Sequence, residues 1–435
     1  ICFLCVPGMI LDGYKNMYEH QRFLDLSDYI EQVLYSFKSN HKILAALYET
    51  KTLYSAGKMY DAITYAINYI ETGNAEQDLY KEALEQIEKE YPNRQLYAAH
   101  EFMRTVEKNG GEDYNSIDMI LKNKNVWSDN IILLQNEKKA GRFKIIIAAI
   151  ITILIALLFH AVYRKMPEQF SIVAHPATQL ATTLFLILDI IIYRRANKEI
   201  AKSWIERENE EKDEKIIRYF KMIAEYDEKK ERKKSAFMAA PCFIVVIPMI
   251  IAGWNYAAIV MGMIGLFMLY QHKVGYKTAY NCIVKEINLS FPQWLMTVAL
   301  LLQTNNVQVA IAKTQKAAPA VLKLELETMQ AELKEHPGSA EPYKKFLSLY
   351  KLSTVQSAMK MLYSISEAGT GDTQTQVNSL VERNIKLLDQ SEKMLNEKSM
   401  TGITGIFYLP QLTLCMQVMV NMVVFMMSFF LNMTL

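Results

Sequence analysis

The sequence predicts an all-α, polytopic membrane protein. Three observations carry this: uncharged runs of bilayer-spanning length, polar blocks with helical rather than alternating periodicity, and basic clusters that fall on one side of the first four apolar runs. The 435 residues are 51% hydrophobic yet 22% charged, so apolar and charged residues must be segregated into separate blocks. The formal net charge is only +2, without the basic excess expected of a nucleic-acid binder.

Taken in order, the opening ICFLCVPGMIL is apolar but too short to span, and no basic region of a signal peptide precedes it. Residues 1–14 are therefore expected to be the remnant of a membrane segment. Residues 15–140 read as a first helical bundle. A glycine break precedes the helix in TLYSAGKMYDAITYAINYI, whose alanines and tyrosines suit close helix–helix packing, and YPN at 91–93 is a second break. Span one, 144–163, contains the uncharged run Ile145 to Val162 between Arg142 and Lys144 and Arg164 and Lys165.

Span two, 170–193, holds one charge, Asp189, and ends in Arg194 and Arg195. Asp189 is expected to reach interfacial water or an arginine one turn on; an ion-path carboxylate is the alternative. Residues 194–235 mix both signs densely and read as a charged helical linker with a short apolar face of Ile216, Ile217, Phe220 and Ile223. Residues 236–271 carry no charge; as one helix they would reach about 54 Å, far beyond the bilayer core of about 30 Å. Gly253-Trp254-Asn255 at their middle divides them into a hairpin, spans three and four. Residues 272–402 form a second bundle, with a break at HPGSAEP and Val377, Leu380, Val381, Ile385, Leu388 and Leu395 on one helix face. Residues 403–432 are the fifth span.

Loop charge orients the spans. KKAGRFK before span one, Arg194, Arg195, Lys198 and Lys202 after span two, KKERKK before span three, and Lys273 and Lys277 after span four all fall on one side. That side is expected to be cytoplasmic, which leaves the C-terminus outside.

The two polar blocks repeat one another. VEKNGGEDY and ISEAGTGDT place Gly110 with Gly369 and Asp113 with Asp372, at a constant separation of 259 residues. Gly111 and Gly371 complete the two glycine turns. Upstream, LSDYIEQVLYSFKSN and FPQWLMTVALLLQTN close two amphipathic helices, placing Tyr29 with Trp294, Val33 with Val298, Asn40 with Asn305 and Ala45 with Ala310. Each block then runs into a membrane span. Glycine permits the backbone that ends one helix, and the following acid suits the start of the next. A second reading makes Glu112, Asp113, Glu367 and Asp372 carboxylate ligands of a divalent cation, calcium or magnesium; no other cofactor is expected.

Catalytic signatures are missing. AGKMY lacks the first glycine and the hydroxyl of a phosphate loop, HEFMR has no second histidine, and no GxSxG elbow occurs. Cys2 and Cys5 have CxxC spacing without a partner pair, and the five cysteines suit apolar packing in a reducing compartment.

Phe291, Pro292 and Trp294 of FPQWL, the following LLQTNNVQVAIAKTQKAAP and the paired glycine–acid turns resemble the type II secretion F-domain family. These are the inner-membrane platform proteins of type II secretion, type IV pilus and tight-adherence (Flp) pilus machines. The resemblance implies about six helices in each cytoplasmic bundle and a homo- or hetero-oligomer with a related platform protein in the bacterial plasma membrane. It also implies two partners, a separate hexameric secretion ATPase and pilin-like subunits, and no enzymatic activity of the chain's own. The second hairpin and the charged middle block depart from simpler members. A transporter or channel, and a membrane-tethered signalling scaffold, are the competing readings.

Overall fold

The computed structural model describes all residues except 1, 74–77, 110–113, 166–174, 206–212, 304, 368–372 and 434–435. Every regular element among the described residues is helical. Five helical segments are long and apolar enough to cross a membrane. The chain divides into two compact units, Ile1–Glu208 with Glu392–Leu435, and Asn209–Ser391.

The first unit opens with α1 (Cys2–Asn40), so residues 2–14 are the first turns of a continuous helix. Its interior face is Phe23, Leu26, Tyr29, Ile30, Val33, Leu34 and Phe37, spaced at three and four residues and fully buried. Helices α2 (Ile43–Lys51), α3 (Lys58–Thr72), α4 (Leu79–Glu90) and α5 (Arg94–Asn109) follow. Their starts and stops have local causes. Asp78 caps α4 by accepting the Lys81 N–H at 3.1 Å, and Asn93 caps α5 by accepting from Gln95 N–H at 2.9 Å. Gly73 ends α3 at φ 69°, where a side chain would be strained. Next come α6 (Tyr114–Arg164) and α7 (Pro176–Ile200), the latter started by proline in its first turn.

The second unit contains α8 (Asp213–Ala224), α9 (Glu228–Ile251), α10 (Asn255–Leu301), α11 (Val307–Gln315), α12 (Ala320–Glu335), α13 (Glu341–Lys345) and α14 (Ser353–Glu367). A 3-10 turn, Ser348–Tyr350, lies between α13 and α14. Helix α15 (Thr373–Phe407) begins in this unit; its end and α16 (Leu409–Met433) belong to the first. Gly253, at φ 78°, turns the chain between α9 and α10.

Several expectations change. Bundle and span are not separate elements: α6 carries the last polar helix and span one without a break, and α10 does the same for span four and the FPQWL helix. KKAGRFK and the stretch around Lys273 each hold one glycine, Gly141 and Gly275, but no proline, and their long charged side chains are good helix formers. Pro292 lies inside α10, although it removes one backbone donor. A turn at Tyr408 separates the end of α15 at Phe407 from α16, and the fifth candidate span runs across both. On α8, Ile216 and Ile223 are buried but Ile217 is 61% exposed. One residue on from Ile216 turns about 100° around the helix, off the packed face.

Candidate functional site

Polar groups inside the first helical set form one chain of contacts. The Tyr29 hydroxyl lies 3.0 Å from His100 Nε2, and His100 Nδ1 lies 2.8 Å from Glu88 Oε1. A neutral imidazole satisfies both: Tyr29 donates to Nε2 and the Nδ1–H donates to Glu88. Burial holds the His100 pKa below its ordinary value, against the hydrogen bond it donates to Glu88, and pushes that of Tyr29 up. The second set, α10–α15 as against α1–α6 of the first, holds an aromatic cluster instead. Trp294 Nε1 donates to Thr314 Oγ1 at 3.1 Å and its ring stacks on Phe346 at 5.9 Å, with Phe291 beside it at 5.6 Å. Asn384 Nδ2 of α15 donates to the Pro292 carbonyl at 2.8 Å.

The two sets bury matching positions. Leu26 and Phe291, Tyr29 and Trp294, Ile30 and Leu295, and Val33 and Val298 are all in the interior, 265 residues apart. In the next helices the separation is 264: Ile43 with Val307, Ala46 with Ala310, Leu47 with Ile311, Thr50 with Thr314. The alanine matching Ala310 in burial is thus Ala46, not Ala45, because the loop after Asn305 is one residue shorter than that after Asn40. Met59 with Leu322, Ile63 with Leu326, Ala66 with Met329 and Ile70 with Leu333 follow at 263. Tyr91 with Tyr350, Leu96 with Val355, Ala99 with Ala358, His100 with Met359, Met103 with Leu362 and Val106 with Ile365 follow at 259. The largest step falls where the first set has α4 and the second has the shorter α13 with its 3-10 turn.

Of the residues singled out in the sequence, Asn40 and Asn305 each tie a helix end to the next helix. Asn40 Nδ2 donates to Glu49 Oε1 at 3.2 Å, and Asn305 Oδ1 accepts from Lys313 Nζ at 2.8 Å. Phe291, Pro292 and Trp294 are buried core. Gly110, Gly111, Glu112 and Asp113 lie outside the described residues, as do Gly369, Gly371 and Asp372. Glu367 is the exposed last residue of α14. Among the described residues no three acidic, histidine or cysteine side chains are gathered as a metal site.

A polar seam between α7 and α16 has no counterpart in the sequence reading. Asp189 is buried there, and its contact is the Thr413 hydroxyl at 3.0 Å, not an arginine or the interface. Gln417 Nε2 donates to Thr182 Oγ1 at 3.1 Å, and Thr178 and Asn421 are buried further along. Towards the C-terminal end of α7 the seam gives way to Ile145, Ile192, Ala196, Ile200 and Ile406 packed together. The four-residue rhythm of Thr413, Gln417 and Asn421 is the signal that could have shown one polar face on the last span. Searches of family models, curated proteins and solved structures give no match to this chain.

Proposed function

We propose that the chain is a non-enzymatic inner-membrane platform of a type II secretion or tight-adherence pilus machine, coupling a cytoplasmic ATPase to pilin assembly. The observation that carries this reading is the paired burial register: two six-helix sets in the same order, α1–α6 and α10–α15, with matching interior positions in α1 and α10, α2 and α11, α3 and α12, and α5 and α14. We read them as two copies of one module, the arrangement the family resemblance implies. Separations that change only between helices support it, because loops tolerate insertion and deletion where packed helices do not. Under this reading both modules are cytoplasmic in a bacterial plasma membrane, and the glycine–acid turns are helix stops and starts. The exposed mixed-charge faces of the modules then meet the motor and, in the membrane, the spans meet pilin-like helices and a related platform subunit.

The test is reconstitution of the purified chain with a secretion-type hexameric ATPase. Expected are co-purification that weakens as salt rises and ATP turnover only when the ATPase is present. Hydrolysis by this chain alone, or no association at low salt, rejects the platform. A transport reading draws on one observation, the buried carboxyl in the α7–α16 seam.

A further inference from the structure

The contact between Asp189 and Thr413 contains a proton-counting problem. Thr413 Oγ1 lies 3.0 Å from a carboxyl oxygen of Asp189 and 2.8 Å from the carbonyl oxygen of Pro410. A threonine hydroxyl has one proton to give, and a carbonyl or an ionised carboxylate can only accept. Both contacts are full two-centre hydrogen bonds at once only when the first proton belongs to Asp189 and the hydroxyl proton goes to Pro410; an ionised Asp189 would leave the two acceptors to share one proton.

The surroundings point the same way. Asp189 is 6% exposed, and its second carboxyl oxygen is buried without a hydrogen-bond partner. No charged side chain from α1, α6, α16 or α7 itself acts on it among the described residues. Helix α16 carries no acidic or basic residue at all. On α7, Arg194 lies against Gly8 of α1, and Arg142 of α6 is hydrogen-bonded to Tyr193. An ionised carboxylate placed here would be an unpaired charge between apolar helices, which a neutral acid is not.

We infer that Asp189 is a proton-binding site within the membrane, occupied at neutral pH, with the acid donating to Thr413 and Thr413 donating to Pro410. Thr182 and Gln417, then Thr178 and Asn421, continue the polar stripe from this site towards the N-terminal end of α7. The inference rests on the α7–α16 contact and stands whether or not the platform reading does.

The experiment is an infrared difference spectrum, at neutral pH, between the full chain in lipid vesicles and its Asp189→Asn variant. The expected result is loss of a protonated-carboxyl C=O band in the variant. Loss of the paired bands of an ionised carboxylate instead overturns the assignment. Asparagine can donate to Thr413 as the neutral acid does, so Asp189→Asn should melt close to wild type and Asp189→Ala below it; equal loss in both also counts against the proposal. Should Asp189→Asn not fold, Thr413→Val against wild type decides: removal of the acceptor should raise the frequency of the acid band, and the absence of any such band refutes the site.

Discussion

At the scale of residues, His100 shows how one buried side chain makes folding sensitive to pH. Burial lowers its pKa in the folded protein, the Arg104 charge adds to this, and the Glu88 hydrogen bond opposes it. Burial prevails because the imidazole is enclosed while Glu88 remains partly open to water. The unfolded chain titrates this group near the ordinary value, about 6.5, and the folded chain below it. Above the unfolded value neither state binds the proton and stability is unaffected. As pH falls through it, the unfolded state gains protons first and stability declines, by at most about 1.4 kcal/mol per pH unit for one group. Melting in detergent should therefore drop between pH 7 and pH 5, and His100→Met, the side chain found at the matching position 359, should flatten that drop. Equal slopes for the two proteins would place the pH dependence elsewhere. The histidine was visible in the sequence as one of seven copies and as the start of HEFMR, which lacks the second histidine of a metal motif. Its partners Tyr29 and Glu88 are 71 and 12 residues away and become neighbours only through packing.

At the scale of elements, helix pairs owe their fit to small residues at single positions. A Cβ added at Gly265 of α10 would meet the Phe243 ring of α9 at 3.0 Å, whereas one at Gly262 meets nothing within 4 Å. Gly265→Ala should therefore force the ring aside and destabilise the α9–α10 hairpin by about 1–3 kcal/mol, the usual range for overpacking. Gly262→Ala should be neutral or slightly stabilising, since alanine is the better helix former. Thermal melting of the two variants in one detergent gives the comparison, and equal effects would mean that the ring moves freely. The turn of this hairpin was legible because a glycine, an interfacial tryptophan and an asparagine interrupt a run too long for one span. The joins in α6 and α10 were not, because helicity passes from apolar to charged sequence without any break that composition would show. The Asp189–Thr413 contact was equally hidden, its partners being 224 residues apart on spans whose pairing no local pattern specifies.

At the scale of the whole molecule, helix length converts the orientation of the spans into a test. Lys230 sits near the start of α9 and Trp254 just beyond its end, both exposed. The 24 residues of α9 correspond to about 36 Å of helix, more than the hydrocarbon core. If α9 crosses the bilayer, the two positions are on opposite faces, and the basic cluster KKERKK puts Lys230 inside. In a cysteine-free background, Trp254→Cys should react with an impermeant maleimide on intact cells and Lys230→Cys only after permeabilisation. The consequence reaches past topology. Helix α10 starts beside Trp254 and extends for 47 residues, about 70 Å, so its Phe291–Trp294 end lies well beyond the membrane on the Lys230 side. Helix α6, at 51 residues, likewise joins an apolar span to a packed helix of the first set. A load applied to either helical set would then be carried into the bilayer along a continuous helix, which is what a platform worked by a soluble motor requires. Labelling in the reverse order would put the second set outside, beyond reach of a cytoplasmic ATPase, and the proposed function would fall with it.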